Sequence, residues 1–280
     1  MRTVSMSFAV AILAGAPGLS SAVELQSGTM QAWDNYVRSA DAAMRARASG
    51  QRPFLWADEA GDRRARLRRG EILVAPVSAR GTYGVPDGLI HDWIGAVFIP
   101  NATVEGLVAV AHDYGRYKEF YKPAVVDSKL LACTGKDRRY SMTWQRKVLF
   151  VNAAIEGQYQ VHDFVVDERR GYSITATTRM QEIEDYGQSD QHLLPPGQGS
   201  GFIWQLHSIV RYEERDGGVY LEMEAMALTR DIPASLRWVV KSVVNHLSMD
   251  SLMTSLRETR DAVGSLGGGP QRLARVRTGN

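Results

Sequence analysis

Apolar residues at Met30, Trp33, Val37, Ala40 and Met44 recur at spacings of three and four through a charged background. That period places them on one face of an amphipathic helix over 29–47, and Gly50 supplies the left-handed residue that ends it. Residues 51–69 are polar and crowd Arg63, Arg64, Arg66, Arg68 and Arg69 together. A solvated face and an anion or membrane-surface patch are the two uses for such a run. From Glu71 the period drops to two. Residues 72–77 read as a strand, with Pro76 marking an edge or bend, and after a Gly/Pro-rich turn 89–99 read as a longer one. Helical spacing returns over 103–112 and again over 113–121, where Tyr114, Tyr117, Phe120 and Tyr121 gather before Pro123.

Between 124 and 232 the chain is strand-like. Runs at 125–133, 139–150, 153–167, 172–184, 202–215 and 219–232 are rich in Val, Ile, Thr and aromatics. Short separators between most of them force antiparallel pairing. Asp216-Gly217 is the strongest hairpin signal, because a two-residue reversal needs positive φ. As a two-residue turn it sets Arg215 opposite Gly218 and Arg211 opposite Glu222; a three-residue turn would break that register. The link 185–201 is long for a compact domain, a length that often marks a functional loop. After Pro233, Leu236, Val240, Val243 and Leu247 share a helical face, and Met249, Leu252, Leu256 and Val263 continue it, with Ser248 as a point where the helix could restart.

The first residues change the picture of where the chain works. Arg2 precedes the apolar run 8–16, Pro17-Gly18 breaks it, and Ser20-Ser21-Ala22 offers small residues for cleavage. This is the pattern of a secretory signal over 1–22, too short for a permanent span. An exported destination, periplasmic or secreted, follows. Lys plus Arg number 33 against 31 Asp plus Glu, a balance unlike that of a nucleic-acid binder. Cys133 is the single cysteine, so an internal disulfide is excluded, and it reads as a small residue buried or half-buried in a strand. The six histidines form no metal-ligand spacing, and no phosphate loop, dinucleotide fingerprint or nucleophile elbow occurs. Neither a metal nor a cofactor is expected. No later apolar run is long enough to span a bilayer, which leaves room only for transient membrane contact.

The order of strand, two short helices, six antiparallel strands and a long last helix is an α+β arrangement. It resembles the START-like, or SRPBCC, superfamily of helix-grip proteins, which includes Bet v 1-like proteins and aromatic polyketide cyclases. The resemblance covers 89–264 and rests on element order and on phrases such as Ile99-Pro100, Tyr121-Lys122-Pro123 and Leu228-Thr229-Arg230-Asp231-Ile232-Pro233. It implies a curved antiparallel sheet of about seven strands around the C-terminal helix, with a cavity between them. Residues 23–88 stand outside it as an extension, and 265–280 form a Gly-rich tail expected to be disordered.

Strict alternation from the hairpin sends Trp204, Leu206, Ser208, Val210 and Tyr212 inward, with Met223, Ala225 and Ala227. The Arg211–Glu222 pair then lies outward. The same parity on the other strands sends Tyr140, Trp144, Tyr159, Tyr172 and Thr178 inward, and Val240 faces them from the helix. Small inward residues such as Gly157 and Ala225 favour a void. Asp163 and Glu182 share the inward parity near strand ends, as candidate acid–base groups or as solvated rim residues. The leading expectation is an exported protein that holds a lipid, sterol-like or aromatic molecule and performs no reaction. A cyclase- or dehydratase-like enzyme using a buried carboxylate or tyrosine stays open, as does a partner-binding module with a filled core.

Overall fold

The computed structural model describes residues 24–78, 81–148, 151–231 and 237–267, without the side chains of 146–153, 237–247 and 266–267. The expected signal at 1–22, the helix start at Pro233 and the tail from 268 lie outside these residues. So does the side chain of Val240. The described part of α5 runs unbroken over Arg237–Gly267, so Ser248 starts no second helix and 265–267 are helical rather than tail.

Helix α1 spans Ser27–Ala48 and buries Trp33 and Met44 on one face, as its period requires. A 3₁₀ turn at Trp56–Glu59 and a short α2 at Arg63–Arg68 complete an N-terminal strap. Strands β1 (Leu73–Pro76) and β2 (Thr82–Val85) pair with successive halves of β3 (Gly88–Pro100). Then come α3 (Val104–Ala111), capped by the Thr103 hydroxyl accepting from Gly106 N, a 3₁₀ turn at Tyr114–Arg116, and α4 (Tyr117–Phe120). Strands β4 (Val125–Thr134), β5 (Asp137–Val148), β6 (Val151–Val165) and β7 (Arg170–Glu184) follow as an antiparallel meander. The short β8 (His192–Leu193) pairs with the end of β7. Strands β9 (Gln205–Arg215) and β10 (Gly218–Arg230) form the expected hairpin, with Asp216 at φ 56° and Gly217 at φ 80°. Arg215 faces Gly218 and Arg211 faces Glu222, as the turn dictates.

The sheet runs β1-β3-β10-β9-β7-β6-β5-β4, with β2 beside β3 and β8 beside β7. Seven long antiparallel strands and a long C-terminal helix packed across one face give the expected α+β helix-grip architecture. Leu252, Leu256 and Val263 of α5 lie on Trp93, Val97 and Leu221. Gly95 is the point of closest approach, since a Cβ there would collide with Leu256 and Leu252. This is the helix face.

The opposite face is not a solvated exterior. Trp33, Met44, Phe54, Leu55, Ala57 and Leu67 of the strap join Ile90, Phe98, Ile209, Tyr220, Met226 and Leu228 in one cluster. Residues 24–88 therefore complete the core, and β1 and β2 extend the sheet itself. The outward placement of Arg211 and Glu222 is corrected accordingly: both are 1% exposed. Arg211 Nε donates to Glu222 Oε2 at 2.7 Å, and that carboxylate also accepts from the backbone N–H of Trp56 and Ala57, each at 2.8 Å. The arginine run behaves as a solvated face. Arg66 and Arg69 pair with Glu71, Arg64 reaches Asp58, and Arg63 lies over the Trp56 ring. Cys133 is exposed, not buried, because β4 is the sheet edge and its last residues have no covering element.

Candidate functional site

On the helix face, α5 covers β3 and β10, while the segment Tyr114–Tyr121 covers the strands at the other end. Between these two covers the floor is only half-buried. Ser208, Val210 and Tyr212 of β9 and Met223, Ala225 and Ala227 of β10 are all intermediate in exposure. On the strap face of the same strands His207, Ile209, Arg211, Glu222 and Met226 are buried. The result is a trough with an apolar floor and small side chains at Ser208, Ala225 and Ala227.

One wall is aromatic. Tyr140 is stacked between Tyr114, at a centroid distance of 4.6 Å, and Tyr159, at 5.0 Å. Tyr117 meets Tyr140 edge-on, and its hydroxyl donates to Ala111 O at 2.6 Å. Tyr121 ties the segment to α5 through Thr259 Oγ1 at 3.1 Å. Burial raises the phenols of Tyr114, Tyr117, Tyr140 and Tyr159 above their ordinary range, so they stay neutral. The Tyr159 hydroxyl and Trp144 Nε1 are buried against each other, the indole N–H partly offsetting the effect of burial on the phenol, and neither has a further partner among the described residues. Gly157 makes room for the Tyr159 hydroxyl, which a Cβ at that position would overlap.

Tyr140, Trp144, Tyr159, Ser208, Tyr212, Met223 and Ala225 thus occupy the face expected of them. Tyr172, Trp204 and Thr178 do not. Tyr172 lies opposite Arg211 and stacks on Phe164, in the strap-face cluster. Trp204 precedes β9 and joins the same cluster. The reason for Tyr172 and Thr178 is a bulge: Gln158 pairs with Arg179 but Tyr159 with Thr177, so Thr178 is the extra residue. Its hydroxyl donates to Gln158 O at 3.2 Å, and side-chain parity reverses across it. Gly171, Ser173, Thr175 and Thr177 are therefore the residues on the trough side in this part of β7, which alternation read from one end missed.

Both candidate acid–base carboxylates are engaged. Asp163 Oδ2 accepts from Arg138 and contacts His112 Nε2, at 3.0 Å for the histidine. Glu182 accepts from Ser200 N and Ser200 Oγ, each at 2.8 Å, and holds the 185–201 link against β7. Gln181 and Leu25 tie the same link at Leu194 O and Gly197 O. His91 and Asp92 escaped notice in the sequence, although polar side chains inside an otherwise apolar strand are a visible signal. His91 Nε2 contacts Thr229 Oγ1 at 3.0 Å on the helix face; Asp92 accepts from the Tyr36 hydroxyl at 2.7 Å on the strap face. Among the described residues no group of His, Cys, Asp or Glu is placed to hold a metal, and no helix is long and apolar enough to cross a membrane.

Solved structures of similar fold include a STAR-related lipid transfer protein fragment from Xanthomonas axonopodis, at 16% identity over 69% of this chain and 98% of that one, with a TM-score of 0.46. Human STARD10 is 11% identical over 72% of this chain and 80% of that one, with a TM-score of 0.43. The Zhui aromatase/cyclase from Streptomyces sp. R1128 is 12% identical over 68% and 99%, with a TM-score of 0.39. No protein-family model and no curated protein matches the chain. The fold assignment rests on the strand order and the closing helix described above.

Proposed function

We propose that this protein is an exported binding protein that holds a hydrophobic small molecule in the helix-face trough and performs no reaction on it. The observation that carries the reading is the half-exposed, largely apolar floor of Ser208, Val210, Met223, Ala225 and Ala227 between the α5 cover and the Tyr114–Tyr121 segment. An apolar lining with a few polar groups is what fixes the orientation of such a ligand. The engagement of Asp163 and Glu182 by other groups favours holding over proton transfer.

Native mass spectrometry of the protein isolated from its own host tests both halves of the proposal in one measurement. The expected result is a chain beginning at Val23 with an apolar molecule bound. A chain that keeps Met1 would overturn export, and a ligand-free spectrum at all collision energies would overturn the carrier reading.

A further inference from the structure

The two sides of the trough floor differ in chemistry. Its β10 side is apolar, with Met223, Ala225 and Ala227. Its β7 side carries a row of hydroxyls, brought there by the bulge that reverses the parity of that strand. Ser173 and Thr175 of β7 lie on this side, and Ser208 of β9 is paired directly with Thr175. The Tyr212 hydroxyl lies over Gly171, where a Cβ would overlap it. All four side chains are half-buried, and among the described residues none of their hydroxyls is bonded to another protein group. From Gly171 to Thr175 the row runs about 13 Å, at roughly 3.3 Å per residue. Thr177, next in line, is a structural hydroxyl by contrast: its Oγ1 donates to Leu206 O and accepts from Leu206 N, each at 2.9 Å. Strand propensity accounts for Thr175 but not for Ser173 or Ser208.

We propose that Ser173, Thr175, Ser208 and Tyr212 determine the specificity of the trough, and that they select a rigid, uncharged ring system with oxygens spread along its length over a hydrocarbon-chain lipid. This rests on the trough being the binding site. A chain lipid carries its oxygens at one end and would cover most of the row with methylenes, and hydroxyls cut off from water without a partner are costly. A fused-ring molecule lying along β7 and β9 offers an oxygen to each end of the row, while its other edge rests on Met223 and Ala225. Each hydroxyl both donates and accepts, so alcohol and ketone oxygens suit the row. Burial, with the Asp163 charge adding to it, raises the Tyr212 phenol, which stays neutral. Asp163 lies opposite Ser173, but its carboxylate already accepts from Arg138 and contacts His112.

The test is displacement of Nile red, a neutral apolar dye, by androstanediol, with a hydroxyl at each end of its rings, by androstanol, with a hydroxyl at one end only, and by oleyl alcohol. The diol should compete about tenfold more tightly than either single alcohol, the worth of about one well-made hydrogen bond. Ser173→Ala together with Thr175→Val should bring the ratio of diol to androstanol affinity to about one. Thr178→Val, on the same strand but outside the row, should keep the ratio. Both affinities are measured on one sample, so a change in the folded fraction cancels. Equal affinity of diol and androstanol for the wild-type protein, tighter competition by oleyl alcohol than by the diol, or a ratio that survives the double substitution would overturn the hydroxyl row and leave the trough reading intact. No uptake of Nile red would overturn the trough reading and this one with it.

Discussion

Asp92 and His91 are neighbours in β3 that face opposite sides of the sheet and titrate in opposite senses. Burial, with the Glu224 charge adding to it and the Tyr36 hydrogen bond opposing, raises the Asp92 carboxyl to about 7. Burial alone lowers His91 to about 4. The folded protein keeps the Asp92 proton where an unfolded chain has already released it. That stabilisation is complete below about pH 4 and is lost as pH rises towards 7, with a slope of at most about 1.4 kcal/mol per pH unit. His91 works the other way: its contribution is complete above about pH 6.5 and is lost as pH falls towards 4. The two slopes oppose each other over nearly the same window, so they cancel in the wild-type protein. Urea unfolding as a function of pH should show it. Asp92→Asn should make stability rise between pH 4 and 6.5, and His91→Gln should make it fall; parallel profiles for both variants would contradict the assignment.

At the scale of elements, the strap is attached through polar contacts that the sheet surrounds with apolar side chains. Glu222 joins β9, β10 and the Trp56–Glu59 turn at once, through Arg211 Nε and two backbone N–H groups. His207 and Asp41 make a second junction between β9 and α1 at 2.8 Å, and Tyr36 and Asp92 a third. Removing one member of a buried ion pair leaves the other uncompensated. Glu222→Ala leaves Arg211 only its longer ion-pair contact with Glu224 at 3.6 Å and frees two backbone N–H groups, and should cost about 3–5 kcal/mol in urea unfolding. Arg211→Met together with Glu222→Gln and Glu224→Gln, which strands no charge, should cost clearly less. A Glu222→Ala penalty no larger than that of a surface substitution would show that the junction is solvated. Elements also explain which site residues were legible. Tyr140 and Tyr159 follow from alternation because β5 and β6 pair without a shift. Tyr172 and Thr178 do not, because the bulge in β7 reverses parity midway, and no residue in Thr175–Arg179 announces it.

For the molecule as a whole, the sheet carries two cores of different completeness. The strap buries the β3, β10 and β9 part of one face, and among the described side chains the other face is covered at its two ends and half-exposed between them. Ala225 sits on that open floor, opposite Ser208 and against the edge of the α5 cluster. Ala225→Trp should fill the trough and abolish uptake of a neutral apolar fluorescent probe by the folded protein. Its stability cost should fall below the roughly 1–3 kcal/mol usual for overpacking, since the space is already there. Unchanged uptake with a large loss of stability would mean that the floor is packed and the ligand lies elsewhere.

Periodicity alone determined most of the elements. The α1 stripe, the alternating strands, the Asp216-Gly217 hairpin with its register, and the order that ends in a long helix are all local properties, set by residues a few positions apart. What covers each face is not local. That the strap lies on the back of β9 and β10 depends on contacts between residues far apart in sequence, such as Trp56 with Glu222 and Asp41 with His207. An alternating strand shows which side chains share a face, but a charged face and an apolar face can both be buried when partners are brought to each. Only the tertiary structure decided that Arg211 and Glu222 are interior, that Cys133 is on an edge, and that the half-open face is the one beneath α5.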